Sequence, residues 1–494
     1  MTAIATSPSL RTLPASLRGD TLPLALVALL VLATRGIWFG DPVADFDEQL
    51  YSFIGWRMGH GELPFVDWWD RKPFGLFAIF AVAHALLGPG PLAYQIVASL
   101  FALTGAFLTY FLARRLVGRI SAAVAAAMQT MLLCAYASYS GQSEAFFLPL
   151  MLGMVALLVD ADHPRFATHA LWAMLLGGLA LQIKYTVLPQ CAFFGLYALW
   201  VLHKRGTALP RLASLAAGFA ALGLLPTALV ALFYAAIGEF DAFLFANFLS
   251  FFDRLPAPQG RWAPDHWLGV SPLATLVLGG IYAAYRMRRP EPFAAWLFYI
   301  GWALSTLASV LLPGTVYLYY YAALSAPAVL VALPLLDHRT PMRGIPGLVL
   351  ATGFLALLAL PARYQHSLDE RAAAEQLAAT IAPHVGSDSD CLWLWDGPTA
   401  LYRMTESCVP TRFVYPDHLN NALETPALGI DQTVEVVRVL ATRPGAIVTA
   451  SSPMTYQNQE ATALVEAALA ADYEESISVE MHDRTLTAWL RKPD

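Results

Sequence analysis

The chain has 494 residues, of which 57% are hydrophobic and 13% are charged, and its formal net charge is -6. Soluble domains carry about 25% charged residues, so this composition excludes an ordinary water-soluble protein and indicates a polytopic α-helical membrane protein. The sequence has no basic tract of the kind that binds nucleic acids, so we expect membrane lipids and no nucleic acid among its partners.

Eleven apolar runs are each close to the ~20 residues that cross about 30 Å of hydrocarbon. They lie at about residues 21–39, 92–113, 120–138, 144–160, 168–183, 186–202, 211–237, 269–285, 292–312, 316–336 and 345–361. A shorter run at 74–88 contains His84 and is bounded by Pro73 and by a Gly-Pro-Gly-Pro stretch, so we interpret it as an interfacial or re-entrant helix. The sequence therefore predicts about eleven transmembrane helices.

Basic residues are divided unequally between the two predicted sides of the membrane. With the amino terminus inside, one side collects nearly all the short-loop basic residues: Arg114, Arg115, Arg119, Arg165, Lys204, Arg205, Arg211, Arg286, Arg288, Arg289, Arg339 and Arg343. By the positive-inside rule that side is the cytoplasm. We therefore expect a multi-pass protein of the inner (cytoplasmic) membrane, with a cytoplasmic amino terminus and a first helix that is an anchor rather than a cleaved signal.

The composition changes near residue 362, which predicts two parts: a membrane module, 1–361, and a soluble periplasmic α/β domain, 362–494. "CLWLWDG" and "GAIVTAS" are typical of buried strands, and "LDERAAAEQLAATIAPHV" and "ATALVEAALAADY" are typical of helices. Cys391 and Cys408 lie in this domain, where a disulfide and two free buried thiols are both open alternatives. Cys134 and Cys191 lie in predicted spans and are expected to be packing residues.

The first loop on the outer side, residues 40–91, mixes charges with apolar side chains. Its apolar residues recur at helical spacing, which predicts a short amphipathic helix on the membrane surface: Phe46, Leu50, Phe53, Ile54 and Met58. Asp47 and Tyr51 lie one helical turn apart, so we expect their side chains to meet. Trp68 and Trp69 suit the headgroup layer of a bilayer.

Six of the charged residues of this loop are predicted to lie in one compact exterior segment: Asp47, Glu48, Asp67, Asp70, Arg71 and Lys72. Crowded carboxylates near a low-dielectric surface raise one another's pKa unless cations or a metal compensate, which favours a functional site. Glu144 and Lys184 are predicted on the same side, at a depth where ionisable residues are typical of a pathway or a site. The alternatives are a merely solvated loop and a Lys184 that snorkels to the surface.

Several motifs, in order along the chain, resemble those of a known family. They are "DEQLY" (47–51), "GHGELPFVDWWDRKPFG" (59–75), "QSEAFFLPL" (142–150), "LALQIKYTVLP" (179–189), "VYLYYYAALSAPA" (316–328) and the tail segment 392–416. Through them the chain resembles the GT-C membrane glycosyltransferases that use polyprenyl-phosphate sugars, the group with the protein O-mannosyltransferases and the aminoarabinose transferase of lipid A. The resemblance implies a GT-C fold followed by an exterior domain.

This resemblance also implies roles for individual residues. Asp47 is implied as the base for the acceptor hydroxyl, its pKa moved toward neutrality by partial desolvation, with Glu48 and Glu144 as further catalytic carboxylates. Candidates for the donor phosphate are Lys72, Arg71, Lys184 and Arg254. Candidates for lining the substrate are Tyr51, Asp67, Asp70, Tyr319, Tyr320 and Tyr321, although a plain aromatic belt would also explain the tyrosines.

The chain departs from the family pattern at three places. Arg71 stands where the aminoarabinose transferase has a Glu that helps to hold a metal, with Asp70 one residue earlier. Phe74 replaces the second proline of a Pro-Pro pair, and Leu318 replaces a histidine. No cofactor is firmly indicated; a divalent metal is an open alternative, with Asp70 and His266 as candidate ligands.

Together, these features predict that the protein is an inverting glycosyltransferase. It would move a sugar from a polyprenyl-phosphate monosaccharide to a hydroxyl of a lipid, glycan or protein acceptor at the outer membrane face. The loop 238–268, which contains Asp253, Arg254, Arg261 and His266, is predicted to be a lid or else a passive interfacial loop. The alternative functions are a flippase for lipid-linked sugars, a secondary transporter, or a membrane-anchored binding protein.

Overall fold

The computed structural model describes residues 19–258, 264–313 and 315–493, without the side chains of residues 264–266 and 268. The membrane module contains sixteen α-helices in these residues: α1 (Thr21–Arg35), α2 (Phe46–Met58), α3 (Phe74–Leu87), α4 (Pro91–Ala113), α5 (Arg119–Ala135), α6 (Ser143–Leu158), α7 (Phe166–Leu181), α8 (Leu188–Lys204), α9 (Leu209–Ala236), α10 (Phe240–Leu244), α11 (Ser250–Asp253), α12 (Pro264–Arg286), α13 (Phe293–Leu311), α14 (Ser325–Val331), α15 (Leu333–Leu336) and α16 (Ile345–Leu358).

Each of the eleven predicted runs is helical. Within the described residues, six helical stretches are long and apolar enough to cross a membrane: Thr21–Trp38, Pro91–Ala113, Tyr185–Lys204, Leu209–Ala236, Phe293–Leu311 and Ile345–His384. The run 316–336 is divided into a 3₁₀ segment (Leu318–Leu324), α14 and α15. Pro327 and Pro334 lie in the first turns of α14 and α15, where a missing N–H costs least. The helical membrane architecture is confirmed, and the count of eleven spans stays a prediction.

The basic loops meet at one end of the helix bundle. Asp20 accepts ion pairs from Arg119 at 3.2 Å and from Arg114 at 3.6 Å. At the same end Arg339 binds Asp337 at 2.9 Å and also donates to the carbonyl oxygen of Leu116 at 2.6 Å. The loops that carry the predicted cytoplasmic charges therefore lie together, opposite the end that carries α2 and the C-terminal domain.

The C-terminal domain begins after a break at Ala359, whose φ of 45° is left-handed. Its helices are α17 (Leu360–Ile381), α18 (Leu401–Met404), α19 (Pro416–Asn420), α20 (Gln432–Ala441) and α21 (Gln459–Asp472), and its strands are β1 (Leu392–Leu394), β2 (Ala446–Ala450), β3 (Tyr473–Met481) and β4 (Arg484–Arg491). The sheet order is β1-β2-β4-β3, with β1 and β2 parallel and the other pairs antiparallel. The two predicted strands and two predicted helices are confirmed, and Cys391 and Cys408 form a disulfide.

Helix α2 does not lie on an open membrane surface, so that part of the prediction is wrong. All residues from Glu48 to Gly55 are buried. One side of α2 packs on α3, and the other is covered by the C-terminal domain, where Phe53 meets Tyr402 with ring centroids 6.0 Å apart. Gln49 accepts a hydrogen bond from the backbone N–H of Ala400 at 3.1 Å. One hydrophobic core therefore runs from the membrane helices through α2 into the C-terminal domain.

The loop predicted to be a lid is described for residues 238–258, which form short helices. It contains α10, a π-helical turn (Phe245–Leu249) and α11, and it packs under the C-terminal domain. The N–H of Leu255 donates to the carbonyl oxygen of Leu423 at 3.0 Å, and Phe245 packs on Trp69 with centroids 5.6 Å apart. Arg261 and the side chain of His266 lie outside the described residues. Opening and closing of this segment stays a prediction.

Candidate functional site

The start of α2 is fixed by a side-chain cap. Asp45 is the N-cap residue, and its carboxylate accepts hydrogen bonds from the N–H groups of Asp47 at 3.1 Å and Glu48 at 3.4 Å. The amide of Gln142, just before α6, donates to the same carboxylate oxygen of Asp45 at 3.0 Å. The first turn of α2 is thereby held against the start of α6, and Asp47 projects from that turn.

Asp47 lies at the centre of a polar cluster. Its Oδ2 accepts hydrogen bonds from the Tyr51 hydroxyl at 3.1 Å and from Gln142 Nε2 at 3.2 Å, and it lies 3.8 Å from Lys72 Nζ. Its Oδ1 lies 3.5 Å from the hydroxyl of Tyr415, in the C-terminal domain. The side chain of Asp47 keeps 15% of its surface exposed and that of Lys72 keeps 24%, so a bound molecule can reach both. The predicted contact between Asp47 and Tyr51 is confirmed.

The expected shift in the pKa of Asp47 toward neutrality is wrong. Burial alone would raise this pKa, but Lys72 and the hydrogen bonds from Gln142 and Tyr51 outweigh it and lower the pKa below its usual value. The charged form of Lys72 is favoured as well: burial opposes its charge, but the carboxylates of Asp47 and Asp70 outweigh burial and raise its pKa. Asp47 is therefore a carboxylate and Lys72 an ammonium at neutral pH.

Lys184, Glu144, Tyr319 and Tyr320 come together beside this cluster. Lys184 Nζ binds Glu144 Oε1 at 2.5 Å and lies over the rings of Tyr320 and Tyr319, 4.1 Å and 5.2 Å from their centroids. The Lys184 side chain is 8% exposed and the Glu144 side chain is 1% exposed, so Lys184 does not snorkel. Tyr321 lies apart from this group, because its buried ring packs toward Tyr136.

Arg71 and Arg254 bind a residue that the sequence did not indicate. Both donate hydrogen bonds to the buried carboxylate of Glu424 in the C-terminal domain, and the distance from Arg254 Nε to Glu424 Oε1 is 2.5 Å. Arg254 also donates to the hydroxyl of Tyr317 at 3.1 Å. Among the predicted phosphate ligands, Lys72 has a looser ion pair, at 3.8 Å, than either Lys184 or Arg254. Lys72 is therefore the cation best placed to accept a new anionic partner.

Glu48 and Asp67 lie apart from the cluster around Asp47, although the sequence predicted all three at one site. Successive residues of an α-helix point about 100° apart, so Glu48 faces away from Asp47. Its carboxylate is fully buried and accepts hydrogen bonds from the Tyr94 hydroxyl at 3.2 Å and from the Gly141 N–H. Asp67 is exposed and accepts a hydrogen bond from the Leu63 N–H at 2.7 Å, which closes a turn. Both carboxylates make contacts that hold local structure, and a part for either one in catalysis or substrate binding stays a prediction.

The surroundings of Asp70 do not fit a divalent metal. One carboxylate oxygen of Asp70 accepts a hydrogen bond from the N–H of Lys72 at 2.6 Å, and the neighbouring Arg71 and Lys72 bring positive charge. Within the described parts of the chain, His, Cys, Asp and Glu side chains form no group of three suited to a metal ion. The other candidate ligand, the side chain of His266, is not among the described atoms.

Four residues at the site had not been singled out. Asp45 has a detectable signal, since Asp45-x-x-Glu48 is a capping pattern before a helix. Gln142 lies inside a quoted motif, directly before Glu144. Tyr415 lies inside the tail segment 392–416, and Glu424 follows that segment. Both are more than 350 residues from Asp47 and Arg71, so no local spacing could show which residues they contact.

Comparison with known proteins defines the class of the protein. A sequence family described as dolichyl-phosphate-mannose-protein mannosyltransferase matches residues 71–230, about a third of the chain. Crystal structures of ArnT from Cupriavidus metallidurans, one bound to undecaprenyl phosphate and one in the apo state, match with a TM-score of 0.63 at 15% identity. These matches cover 96% of this chain and 98% of ArnT. A search of curated proteins by sequence finds no match.

Two further structures are more distant. The Archaeoglobus fulgidus oligosaccharyltransferase matches at 12% identity and a TM-score of 0.49, covering 86% of this chain and 67% of its own. The arabinosyltransferase EmbB from Mycobacterium smegmatis matches at 13% identity and a TM-score of 0.44, covering 68% of this chain and 32% of its own. The match to ArnT over nearly the whole of both chains shows that the protein is a polytopic membrane protein with the GT-C fold. The resemblance predicted from the motifs is confirmed.

Proposed function

We propose that the protein is an inverting glycosyltransferase that moves a sugar from a polyprenyl-phosphate monosaccharide to a hydroxyl of a lipid, glycan or protein acceptor. The observation that carries this proposal is the partly exposed pair of Asp47 and Lys72, with a carboxylate and an ammonium 3.8 Å apart. The mannosyltransferase family match at residues 71–230 supports the reaction class, and it includes Lys72. The undecaprenyl phosphate bound to ArnT supports a polyprenyl-phosphate donor.

The reaction needs two groups that this pair supplies. A sugar linked to a lipid phosphate already carries a good leaving group, so the protein must stabilise negative charge on the phosphate and remove a proton from the acceptor. Lys72 is the proposed phosphate ligand. Asp47 is the proposed base, and it is already ionised at neutral pH. Attack by the acceptor oxygen opposite to the departing phosphate inverts the anomeric carbon.

Donor binding would itself change the basicity of Asp47. In the unliganded protein Lys72 lowers the pKa of Asp47. A lipid phosphate that binds Lys72 would compensate this positive charge, so the pKa of Asp47 would rise toward the range that suits a general base. The buried ion pair of Lys184 with Glu144, next to Tyr319 and Tyr320, would form a fixed wall of the same site.

We infer that the reaction takes place at the outer face of the inner membrane. The basic loops lie together at the end of the bundle opposite α2, which by the positive-inside rule supports a cytoplasmic position for those loops. The disulfide between Cys391 and Cys408 is typical of an oxidising compartment and supports a periplasmic C-terminal domain.

The decisive experiment compares wild type with Asp47→Asn. Full-length protein in lipid nanodiscs is incubated with radiolabelled undecaprenyl-phosphate sugars and a panel of acceptors: lipid A, a Ser/Thr-rich peptide and a lipid-linked oligosaccharide. We expect transfer by wild type and a loss of about 10²–10⁴-fold in Asp47→Asn, because a general base contributes about that much. Asp241→Asn, an exposed carboxylate in α10, is the matched control and should transfer at the wild-type rate.

A binding measurement examines the phosphate ligand separately. Lys72→Ala should weaken the binding of undecaprenyl phosphate, and Lys72→Arg should retain most of it because the positive charge is kept. Donor turnover that is unaffected by Asp47→Asn would contradict the proposed enzyme. Movement of the labelled lipid across the bilayer without release of its sugar would instead favour a flippase.

A further inference from the structure

The two oxygens of Asp47 have different surroundings. Oδ2 receives the Tyr51 hydroxyl, the Gln142 amide and the charge of Lys72. Oδ1 faces the C-terminal domain, and there the Tyr415 hydroxyl lies 3.5 Å away, at the outer limit of a hydrogen bond. Oδ1 is therefore the oxygen that can accept a proton from an incoming hydroxyl without losing a short hydrogen bond.

From this asymmetry we propose that Tyr415 is an acceptor-binding residue, which holds the acceptor hydroxyl beside Asp47 Oδ1. The inference rests on the proposed transferase function and adds the C-terminal domain to its active site. It also assigns the two substrates to different sides of Asp47: the donor phosphate to the side of Lys72 and Oδ2, and the acceptor to the side of Tyr415 and Oδ1.

Tyr415 is held in position by contacts between the C-terminal domain and the first loop. The backbone N–H of Trp69 donates to the carbonyl oxygen of Arg412 at 3.0 Å, and the Trp69 ring packs on Phe413 with centroids 6.0 Å apart. The ring of Tyr415 packs against that of His418, with centroids 5.6 Å apart. The segment that carries Tyr415 is thus attached to the first loop through Trp69 and packed within the C-terminal domain through His418.

The protonation state of Tyr415 suits a hydrogen-bonding role. Burial and the nearby carboxylates of Asp47 and Asp417 raise its pKa well above the usual value, so the phenol keeps its proton at neutral pH. A neutral phenol both donates and accepts a hydrogen bond. The hydroxyl of Tyr415 can donate a hydrogen bond to the acceptor oxygen while the proton of the acceptor hydroxyl points at Asp47 Oδ1. It can also accept a hydrogen bond from another polar group of the acceptor.

The step balances without a further reactant. The acceptor oxygen forms a bond to the anomeric carbon, and the bond between that carbon and the phosphate oxygen breaks. The electron pair of the broken bond leaves with the polyprenyl phosphate, whose added negative charge is placed next to Lys72. The proton of the acceptor hydroxyl passes to Asp47 Oδ1, and Tyr415 keeps its own proton throughout.

The variant Tyr415→Phe examines this inference. It removes one hydroxyl and keeps the ring, so we expect kcat/KM for the acceptor to fall about 10–100-fold, the effect of one lost hydrogen bond in a desolvated site. The KM for the undecaprenyl-phosphate sugar and the affinity for undecaprenyl phosphate should remain at wild-type values. A merely structural role would change both substrates together, so this difference between donor and acceptor is the diagnostic readout.

Tyr473→Phe is the matched control. It also removes a hydrogen-bonded tyrosine hydroxyl of the C-terminal domain, one that donates to the carbonyl oxygen of Pro444 at 2.9 Å, far from Asp47 in the sheet. It should leave the acceptor kcat/KM unchanged. Thermal unfolding of both variants shows whether either one has lost the fold.

The outcomes separate the inference from the proposed function. Normal acceptor kinetics in Tyr415→Phe, together with an inactive Asp47→Asn, would overturn the inference alone. Equal losses for donor and acceptor in Tyr415→Phe would also overturn it. Transfer at the wild-type rate in both Asp47→Asn and Tyr415→Phe would count against the proposed function and the inference together. The same holds if the wild-type protein transfers sugar to none of the acceptors in the panel.

Discussion

Asp47 and Glu48 are neighbours in the chain, and their pKa values shift in opposite directions. Lys72 and two hydrogen bonds lower the pKa of Asp47, whereas burial raises the pKa of Glu48 to about 7. The difference follows from helix geometry, since Asp47 points toward the partly exposed cluster and Glu48 points into the bundle toward Gly141. A single residue step therefore separates the partly exposed carboxylate of Asp47, the proposed base, from the buried carboxyl group of Glu48.

The raised pKa of Glu48 predicts a pH-dependent stability. The pKa of Glu48 is about 7 in the folded protein, whereas an ordinary Glu, as in the unfolded chain, has a pKa of 4.5. As the pH rises, the unfolded chain therefore loses this proton before the folded protein does. As the pH rises from about 4.5 to about 7, the ionisation of Glu48 should lower the free energy of unfolding by roughly 3 kcal/mol. Glu48→Gln cannot ionise and should remove that decline. Melting temperatures in detergent, measured from pH 5 to pH 8, report the difference between the variant and wild type.

Glu435, whose pKa shifts in the direction opposite to that of Glu48, serves as the control for this measurement. The pKa of Glu435 is lowered: partial burial opposes its charge, but Arg438 and Thr411 outweigh that burial. The stability that Glu435 contributes is therefore lost as the pH falls, and Glu435→Gln should reduce stability at pH 8 more than at low pH. If Glu48→Gln and wild type show the same slope from pH 5 to pH 8, burial does not raise the pKa of Glu48 in the folded protein.

At the scale of single elements, the accuracy of the sequence predictions depended on how local the signal is. Apolar length predicted that each of the eleven runs is helical, because a segment in hydrocarbon must satisfy its backbone hydrogen bonds internally; how many of them cross the membrane stays a prediction. The position of α2 could not be predicted, because its second buried face is supplied by residues such as Tyr402 that lie 350 positions later. The hairpin of β3 and β4 was missed although its signal is local. Leu486, Ala488 and Leu490 alternate with less buried residues.

The turn of that hairpin also carries a readable signal. His482 and Asp483 have φ values of 53° and 57°, the pattern of a two-residue type I′ turn. Asp is among the residues that tolerate this conformation, and His is enriched there among non-glycine residues. A two-residue polar pair between alternating segments therefore predicts the hairpin.

The contact between α2 and α3 predicts the effect of a small substitution. A Cβ added at Gly55 would lie 2.7 Å from Phe80 Cβ and 2.8 Å from the backbone nitrogen of Ala81. Gly55→Ala must therefore push α2 away from α3 and should destabilise the protein by about 1–3 kcal/mol. Because α2 carries Asp47, transfer activity should fall as well. Thermal unfolding and the transfer assay on the same preparation measure both effects.

Another helical glycine provides the comparison for Gly55. A Cβ at Gly353, in α16, would have no heavy atom within 4 Å. Gly353→Ala should leave stability unchanged or raise it by up to about 1 kcal/mol, since Ala favours helix more than Gly does. A Gly55→Ala protein as stable and active as Gly353→Ala would show that α2 and α3 do not pack as closely as described.

At the scale of the whole molecule, the site is assembled from four distant parts of the chain. Asp47 comes from α2, Lys72 from the loop before α3, Gln142 from the start of α6, and Tyr415 from the C-terminal domain. The sequence identified the first two because their motifs are compact. It could not show which cation pairs with which acid, because partner choice depends on tertiary contacts; Arg71, for example, binds Glu424.

Glu424 is the charged link between the two parts of the protein, and its removal gives the last prediction. Its side chain is 5% exposed and binds Arg71 and Arg254, which are 21% and 19% exposed. Breaking a fully buried ion pair costs about 3–5 kcal/mol, and the partial exposure of both arginines reduces this to roughly 2–4 kcal/mol for Glu424→Ala. Thermal unfolding measures the loss, and hydrogen exchange of residues 409–430 should show faster opening of this segment.

A surface ion pair of the same domain is the appropriate comparison. Asp390 binds Arg491 at 2.7 Å with its own side chain 45% exposed, so Asp390→Asn should cost at most about 1 kcal/mol. The affinity for undecaprenyl phosphate then decides the role of the two arginines. If Arg71 and Arg254 only join the domains, Glu424→Gln leaves that affinity at the wild-type value. If the lipid phosphate competes with Glu424 for them, the same substitution increases the affinity, and the assignment of the donor phosphate to Lys72 alone is wrong.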